Sequence, residues 1–443
     1  MSSALTTRIA ADYASVAAAH PAADPAGQRR RAAIEALEAV GLPGGRDENW
    51  KYANLRALER LRFAPAAAAQ PAALPHDLPG PLSGFARYVL VDGVFAAALS
   101  APLDATAAQV RSLAGAGGAA VTPAPGSSAV AAGRPLAELQ GDERFALLNA
   151  AFATGGIGIR VAAASAQPVR IELVFLASAD QQAGASYPRL ELMLAAGARL
   201  ELIERHVSAG AQPSFITGAV TIDLAPGASL QHYRLQELNL QSILFDTLAA
   251  QVGQRASYRL HAIMSGAQSA RATLAVRLGE GAQLSLAAAA LGERQQVQDT
   301  YALVEHTAPG AHTVQTFRGI AAGRARVAFN GKIVVHAGAH GSDSQQSLRG
   351  LLAGAEAEID VRPQLEIHTD EVRCSHGATA GKLDEDMLFY LLSRGLDRDS
   401  AYRLLKWAFL EDVIAQVAVP PLRRQIEERL VGRLGDDNLR ELL

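Results

Sequence analysis

The hydrophobic pattern changes twice along the chain. Before about residue 60, apolar side chains recur at the three- and four-residue spacing of amphipathic helices, and residues 28–40 are rich in helix formers up to a stop at Gly41. From about residue 155 to residue 375, short runs alternate polar and apolar positions, which is the period of a strand with one buried face. After Gly381 a helical spacing returns. The pattern therefore predicts a mainly β core between helical regions.

The N-terminal third combines its helices with one hairpin and two linker-like stretches. Residues 88–95 carry two strand-like runs around Asp92-Gly93, a pair that favours a tight hairpin turn. Residues 64–81 and 114–133 are rich in Ala, Pro and Gly and have little hydrophobic period, so we interpret them as linkers or loops. A small mixed domain is therefore expected at this end of the chain.

A weak repeat recurs within the β region. Its copies read Leu-x-x-Gly-Ala-x-Leu around Gly197, Gly227 and Gly281, with a looser copy at Gly310. The spacing is roughly 30 residues, with one interval nearly twice as long, which indicates a copy too degraded to see. Strand–turn–strand units without helices can stack as a solenoid or form a sandwich. Irregular turn lengths and small turn residues favour a right-handed parallel β-helix.

This pattern divides the chain into three predicted domains. Residues 1–134 form an N-terminal helical and mixed domain with Ala- and Pro-rich loops. Residues 135–380 form the β-helix core, and residues 381–443 form a C-terminal helical domain. The predicted fold class is thus mainly β, with helical regions at both ends.

Helix signals in the C-terminal domain are explicit. An acidic first turn after Asp384 opens one helix, and Arg394 followed by Gly395 closes it, as expected from the helix dipole and the C-cap preference for glycine. A second helix begins at Asp397 or Asp399. Helices beyond a solenoid can cap it or bind a partner protein.

Composition excludes several classes of function. The chain has 443 residues, of which 49% are hydrophobic and 19% charged, enough for a large core. A net charge of −3 gives no electrostatic case for binding nucleic acid. One cysteine excludes an internal disulfide and fits a reducing compartment, and the N-terminus is a poor signal peptide. No apolar run approaches the roughly 20 residues that span a bilayer, so we expect a cytoplasmic protein without a membrane role.

The chemistry-bearing residues concentrate around the single cysteine, Cys374. If residues 372–376 are extended, Cys374 and His376 point the same way as Val372, while Arg373 and Ser375 point away. A thiolate beside an imidazole suits a soft metal such as iron, copper or zinc. Two donors do not complete a site, so other residues or a second subunit must do so. The alternative is that the cysteine is simply a small buried apolar residue.

Family-specific stretches surround this pair. In order along the chain they are Phe329-Asn330-Gly331-Lys332, Gln364-Leu365-Glu366-Ile367, Val372-Arg373-Cys374-Ser375-His376-Gly377-Ala378-Thr379 and Phe389-Tyr390-Leu391-Leu392-Ser393-Arg394-Gly395. Over its last third the chain thus resembles the SufB/SufD family of iron–sulfur cluster assembly proteins. Residues 47–52 also resemble the N-terminal signature of that family, although Trp50 and Tyr52 read alone are packing residues. The single cysteine fits SufD, since SufB proteins are longer and carry additional cysteines.

The resemblance implies a role inside an assembly. In a SufB–SufC–SufD complex, the β-helix cores of SufB and SufD pair, and a nascent iron–sulfur cluster forms at their interface. Cys374 and His376 match the residues of the family that are tied to cluster formation, and the cluster would be transient and shared with SufB. The isolated chain is then expected to hold no tightly bound cofactor and to be no enzyme itself.

The same resemblance implies where the ATPase SufC binds. The C-terminal helices are its docking region in SufD-like proteins, and Phe389, Tyr390, Arg394 and Tyr402 are the contacts we expect. This chain carries no Gly-x-x-x-x-Gly-Lys-Ser/Thr motif of its own. Without its partners, the chain is compatible with a homodimer through an exposed solenoid edge.

Two rival functions remain open at the level of sequence. One is a structural adaptor that holds SufC and stabilises SufB without binding iron. The other is a carbohydrate-active β-helix enzyme, which would need clustered carboxylates in a cleft and commonly acts outside the cell. The repeats show no obvious acidic cluster of that kind.

Overall fold

The computed structural model describes residues 4–17, 25–44, 47–53, 55–65, 74–76, 78–102, 108–113, 144–153, 155–162, 167–178 and 183–435. Within them, residues 157–382 form a parallel β-solenoid of about seven turns, with helices before and after it. The predicted fold class is confirmed. The predicted domain boundary at residues 134/135 lies outside the described residues, and the division into three domains stays a prediction.

Helices occupy the two ends of the chain. The described α-helices are α1 (Ala4–Ala17), α2 (Pro25–Val40), α3 (Arg56–Arg60), α4 (Arg144–Phe152), α5 (Glu385–Ser393), α6 (Arg398–Ile414) and α7 (Pro420–Leu434). Short 3-10 helices cover Glu48–Trp50 and Ala97–Leu99. Among the described helices, none is both long enough and apolar enough to cross a membrane.

Strands, numbered in chain order, form two sheets whose members alternate along the solenoid. The first sheet runs in the order β4 (Ala108–Ser112), β5 (Ile157–Val161), β8 (Arg189–Leu194), β11 (Ala219–Leu224), β13 (Ile243–Val252), β15 (Ser269–Leu278), β17 (Val297–His306), β19 (Arg326–Val335) and β21 (Glu358–Ile367). Beside it lie β1 (Ala64–Pro65), β7 (Gly184–Ser186) and β10 (Ser214–Ile216). The second sheet runs in the order β3 (Val94–Phe95), β2 (Ala86–Val91), β6 (Val169–Ala177), β9 (Arg199–Ser208), β12 (Ser229–Glu237), β14 (Ser257–Met264), β16 (Gln283–Gly292), β18 (His312–Ala321), β20 (Ser342–Leu352) and β22 (Val372–Lys382).

Parallel pairing in register stacks side chains into columns through the interior. In one column of the second sheet, Leu200, Leu230, Tyr258 and Leu284 occupy equivalent positions of β9, β12, β14 and β16. All four are buried in the interior apolar cluster. Alternate residues of each strand point inward, so the two-residue period of the sequence is the period of this core.

The corners of the solenoid explain the repeat. Gly197, Gly227, Gly281 and Gly310 have φ values of 69°, 68°, 61° and 70°, a left-handed conformation that glycine adopts without a Cβ penalty. In the long interval of the repeat the corner is made by Arg255, with φ of 54°. The missing copy therefore exists in the structure, and a non-glycine residue hides it in the sequence.

Two further predictions at the N-terminal end are confirmed. Strands β2 and β3 pair antiparallel around Asp92 and Gly93, whose φ values of 49° and 86° are those of a tight hairpin turn. Gly41 ends α2 with φ of 71° and donates its N–H to the Leu37 carbonyl at 2.7 Å. Residues 114–133, interpreted as a linker, lie outside the described residues.

The C-terminal helices pack against the side of the solenoid. Asp384 accepts hydrogen bonds from the backbone N–H groups of Asp386 and Met387 and so starts α5, and Asp397 starts α6. Helix α7, which was not predicted, begins at a Pro-Pro pair. Apolar side chains of α6 and α7 join the outer face of the second sheet in one buried cluster. They therefore cover the flank of the solenoid.

The N-terminal signature packs on the outer face of the first sheet. The ring of Trp50 lies 3.9 Å from the guanidinium of Arg271, and its centroid is 5.1 Å from that of Phe145. Arg271 in turn forms a buried ion pair with Asp299 of the next coil. Trp50 is thus the packing residue that the sequence predicts, whereas Tyr52 is half-buried beside Lys51.

Trp50→Ala is expected to lower the free energy of unfolding by about 3 to 5 kcal/mol, because it removes a buried ring and uncovers a buried guanidinium. Tyr52→Ala is the matched control, with an expected loss within about 1 kcal/mol. Denaturant unfolding of both variants measures the difference. Equal losses would contradict the assigned role of Trp50.

Candidate functional site

The solenoid ends in an uncovered coil, formed by β21 and β22 and called here the end coil. Strand β22 pairs with β20, and β21 pairs with β19. Within the described part of the chain, no strand pairs with the other edge of either. The apolar residues of the end coil that pack on the interior cluster, Val361 and Leu365 among them, are only partly buried. The end coil therefore presents two open backbone edges beside half-covered apolar side chains.

Cys374 and His376 lie together on β22 and are called here the edge pair. Their strand is extended, as the sequence analysis assumed, so the two side chains share one face. Val372 and Cys374 pack against the interior cluster and are partly buried, while His376 is exposed. One soft and one borderline donor thus stand at the open rim of the solenoid, a set that suits iron or zinc.

Buried polar residues lie one coil beneath the edge pair. Ser344 of β20 is the register partner of Cys374, and Gln346 is the register partner of His376. Both are buried, and Leu348, two residues on, belongs to the interior cluster. Neither residue was predicted from the sequence, although the polar residues at alternate positions of β20 were a visible signal.

Glu366 and His368 lie apart from the edge pair, where β21 meets the corner of the end coil. His368 Nε2 lies 2.9 Å from Glu366 Oε1, and Lys332 Nζ lies 2.8 Å from Glu366 Oε2. The chain then bends through residues 368–371 before β22 begins. Lys332 and the hydrogen bond to His368 hold the pKa of the exposed Glu366 carboxyl below its usual range.

A second polar cluster is buried deep in the solenoid. Glu204 Oε1 lies 2.7 Å from both His206 Nε2 and Arg234 Nη2, and Glu204 Oε2 lies 3.0 Å from His232 Nε2. Arg234 also pairs with Asp246. Burial raises the pKa of Glu204, but Arg234 and the two histidines outweigh it and hold that pKa well below its usual range.

This cluster is an ion-pair network. Donor atoms of Glu204, His206 and Asp246 lie within 4.8 Å of one another, a spacing that could hold a metal ion. However, the guanidinium of Arg234 already bonds both carboxylates. A cation added among them would have to displace or oppose Arg234 in a buried space. We therefore assign the cluster a structural role.

His306 is a buried histidine that contacts the column of polar residues beneath the edge pair. Its Nε2 lies 2.8 Å from Oγ1 of Thr313, and Thr313 is the register partner of Ser344. Burial and the nearby His312 lower the pKa of His306 to about 4, against a weaker opposing effect of Asp343. This end of the interior therefore keeps a neutral imidazole at physiological pH.

The expected docking residues lie on α5 and α6. Met387, Phe389 and Tyr390 of α5 are 59%, 72% and 56% exposed, which is unusual for three large apolar side chains on one short helix. The guanidinium of Arg394 lies 5.1 Å from the centre of the Tyr390 ring. Tyr402 accepts a hydrogen bond from Arg398 at 3.2 Å. Tyr390 and Arg394, one helical turn apart, therefore form a stacked aromatic and cationic pair, with exposed Phe389 on the same helix and Tyr402 on the next.

A family model described as "SUF system FeS cluster assembly, SufBD core domain" matches residues 175–409, more than half of the chain. The chain belongs to the SufBD family. The match begins in β6, spans the solenoid with its edge pair, and ends in α6. It confirms the resemblance seen in the sequence.

Two curated relatives extend the SufBD assignment over most of the chain. The iron–sulfur cluster assembly protein SufD of Escherichia coli is 29% identical over 404 residues, covering 90% of this chain and 91% of the relative. An iron–sulfur cluster assembly SufBD family protein of Synechocystis is 28% identical over 417 residues, covering 90% and 89%. This SufBD family member is thus a protein of iron–sulfur cluster assembly, a result that favours assembly over a carbohydrate-active enzyme.

The lowered pKa of His306 predicts how the stability of this SufBD protein depends on pH. Between pH 6.5 and about 4 the unfolded chain binds a proton at His306 that the folded chain excludes, so stability falls as the pH falls. His306→Asn removes that contribution, and the loss of unfolding free energy between pH 7 and pH 4.5 is expected to be about 2 kcal/mol smaller.

Denaturant unfolding at the two pH values measures this difference. His340→Asn, at an exposed corner position, is the control and should keep the wild-type loss. Part of the loss must remain in both variants, because burial also lowers the pKa of His261 to about 4. An unchanged loss in His306→Asn would contradict the assignment.

Proposed function

We propose that this chain is a SufD-like subunit of a SufB–SufC–SufD complex and helps to form the nascent iron–sulfur cluster at its interface with SufB. The observation that carries the proposal is the position of the edge pair on the uncovered end coil. Donors at this rim can meet donors of a second chain, whereas donors deep in the solenoid cannot.

The end coil supports pairing with another β-solenoid. Its strands β21 and β22 offer 10 and 11 residues of open edge, which is the surface that strand addition uses. Apolar side chains such as Val361, Leu365 and Val372 are half-buried there and gain burial when a second core covers them. The partner proposed is the SufB-like paralogue, and a second copy of this chain takes its place when the paralogue is absent.

The edge pair supplies part of a coordination sphere. An iron in a sulfur-rich site is typically held by four donors, and Cys374 and His376 provide two. The SufB-like subunit supplies the remainder, so the cluster is cargo shared between chains and is not held tightly by the isolated chain. A rotation of the two cores would separate the donors and release the cluster.

The exposed patch on α5 is the proposed docking surface for the SufC-like ATPase. Phe389 and Tyr390 supply apolar area, Arg394 supplies a cation stacked on Tyr390, and Tyr402 extends the surface onto α6. Buried aromatic and Arg side chains carry much of the binding energy in protein interfaces. ATP hydrolysis in the docked subunit can then be transmitted through α6, which is packed on the second sheet.

The first test is anaerobic co-expression with the SufB-like and SufC-like proteins, with purification through a tag on this chain. His376→Ala is expected to lower bound iron and acid-labile sulfide about tenfold or more while the three subunits still co-purify. His368→Ala is the matched control, because it removes an exposed histidine of the same coil that bonds Glu366.

Each other outcome identifies a different function. If the complex forms and His376→Ala keeps its iron, the chain is a structural adaptor whose edge pair only packs. If no complex forms, the proposed membership of the SufB–SufC–SufD assembly is wrong.

The docking surface is tested separately with the SufC-like protein alone. The double variant Phe389→Ala/Tyr390→Ala is expected to weaken binding by about 2 kcal/mol or more, with little change in unfolding, since both side chains are exposed. Ile367→Ala is the control, because it removes an exposed apolar residue of the end coil. Titration calorimetry measures both, and undiminished binding of the double variant would remove α5 from the interface.

A further inference from the structure

Two glutamines make a ladder of side-chain amides inside the solenoid, called here the amide ladder. Gln315 of β18 and Gln346 of β20 are register partners, and Nε2 of Gln346 donates to Oε1 of Gln315 at 2.8 Å. The next residue in the same column, one coil further, is His376. The exposed histidine of the edge pair therefore stands on a column of buried amides.

The opposite sheet fixes the orientation of this ladder. Nε2 of Gln346 also donates to the carbonyl oxygen of Gly331 at 3.0 Å. A Cβ at Gly331 would lie 2.7 Å from Oε1 of Gln315 and 2.9 Å from Nε2 of Gln346, so a side chain at this position would displace the two amides from this arrangement. With Nε2 bound to two acceptors, the amide of Gln346 cannot be turned over without setting an oxygen against the Gly331 carbonyl.

Two buried side-chain oxygen atoms in the coil beneath the edge pair form no hydrogen bond within the described part of the chain. Oε1 of Gln346 and Oγ of Ser344 have no hydrogen-bond partner among the described residues, although the two residues are only 4% and 0% exposed. A buried polar atom without a partner costs about 1 to 3 kcal/mol, so a hydrogen bond from a group within reach stabilises it. Their register partners are His376 and Cys374, about 4.8 Å away along the column.

We propose that Gln346 and Ser344 are positioning residues for the edge pair. Oε1 of Gln346 accepts the ring N–H of His376 that faces inward, which leaves the other ring nitrogen for iron. Oγ of Ser344 donates to the sulfur of Cys374. The inference rests on the proposed function of the edge pair as iron donors, and it assigns to this chain the hydrogen-bonding layer that metal-binding histidines and thiolates ordinarily need.

The same arrangement would orient the edge pair although it lies at the open rim of the solenoid. A surface histidine and cysteine sample several rotamers, and each hydrogen bond to a fixed buried atom selects one of them. Gly331 and Gln315 hold Gln346 from two sides, so its Oε1 is a fixed acceptor. The two donors are thereby oriented before a second chain arrives.

The first variant removes the fixed acceptor. Gln346→Met in the co-expressed complex is expected to lower bound iron about tenfold or more, since loss of such a supporting hydrogen bond costs about 10- to 100-fold in metal affinity. Gln298→Met is the matched control: Gln298 is also a buried glutamine, donates to the Gly266 carbonyl at 2.6 Å and has an unpartnered Oε1, but it lies on β17. Equal iron in both variants would overturn the assignment of Gln346.

The second variant has a readout that needs neither iron nor a partner chain. Because the chain has one cysteine, its alkylation rate by iodoacetamide at a fixed neutral pH reports Cys374 alone. Ser344→Ala is expected to slow it about threefold or more, since a hydroxyl donor favours the reactive thiolate. Ser344→Thr should restore the rate, because Thr313 already occupies the same column one coil below. Ser214→Ala, at another buried serine with an unpartnered Oγ, should leave it unchanged.

These variants separate failure of the inference from failure of the proposed function. If His376→Ala loses iron while Gln346→Met keeps it, the edge pair binds iron and the inference is wrong. If His376→Ala and Gln346→Met both keep iron, the proposed function itself fails. A wild-type alkylation rate in Ser344→Ala, or no recovery in Ser344→Thr, would overturn the assignment of Ser344. Circular dichroism of each variant establishes that it folds before it is scored.

Discussion

In-register stacking of parallel strands is the constraint on which the rest of this molecule depends. Each interior side chain lies directly above its equivalent in the previous coil, as the column Leu200, Leu230, Tyr258 and Leu284 illustrates. A polar residue in such a column is buried, so the hydrogen-bond partners within its reach lie in the coil below, the coil above or the facing sheet. Whether a column position can be polar therefore depends on the residues in the adjacent coils. A polar residue in one coil favours a polar partner in the next, until the column returns to apolar residues or reaches the end of the solenoid.

Two groups of buried polar residues interrupt the apolar columns, and they find their hydrogen-bond partners in different ways. Around Glu204, both carboxylate oxygens find partners within the interior, since Arg234 and His206 bond one of them and His232 bonds the other. Removal of one member would leave an uncompensated buried charge, which is why such networks resist substitution. The amide ladder, in contrast, does not close. It begins at Gln315, continues through Gln346 and reaches the rim at His376. One interruption is a structural element, and the other leads outward to the edge pair.

Features that depend on the local hydrophobic period could be predicted from the sequence. Features that depend on the register between strands could not. Alternating positions predicted the strands, and parity alone placed Cys374 and His376 on one face. Glycine at the corners revealed the repeat, but the copy at Arg255 was invisible, since an arginine in a left-handed conformation leaves no compositional mark. Ser344 and Gln346 could not be assigned to the edge pair from the sequence, because their columns join residues a whole coil apart and the lengths of the intervening corners vary. Helix α7 was missed for a different reason: its stabilising contacts are tertiary, with Ile426 and Leu430 buried in the cluster on the second sheet.

The stack of coils ends at β22, so the edge pair, unlike residues of the inner coils, has one uncovered side. Every inner coil is covered on both sides, so donors placed there could bind only what the same chain supplies. On β22 the column has a buried neighbour on one side and an open edge on the other. The buried side can fix orientation, as the polar atoms of Ser344 and Gln346 allow, while the open side stays free for donors from another chain. In the proposed complex, assembly of the coordination sphere and pairing of the two cores are therefore the same event. A force that separates the cores must also open the metal site, which is the coupling that an ATP-driven assembly needs.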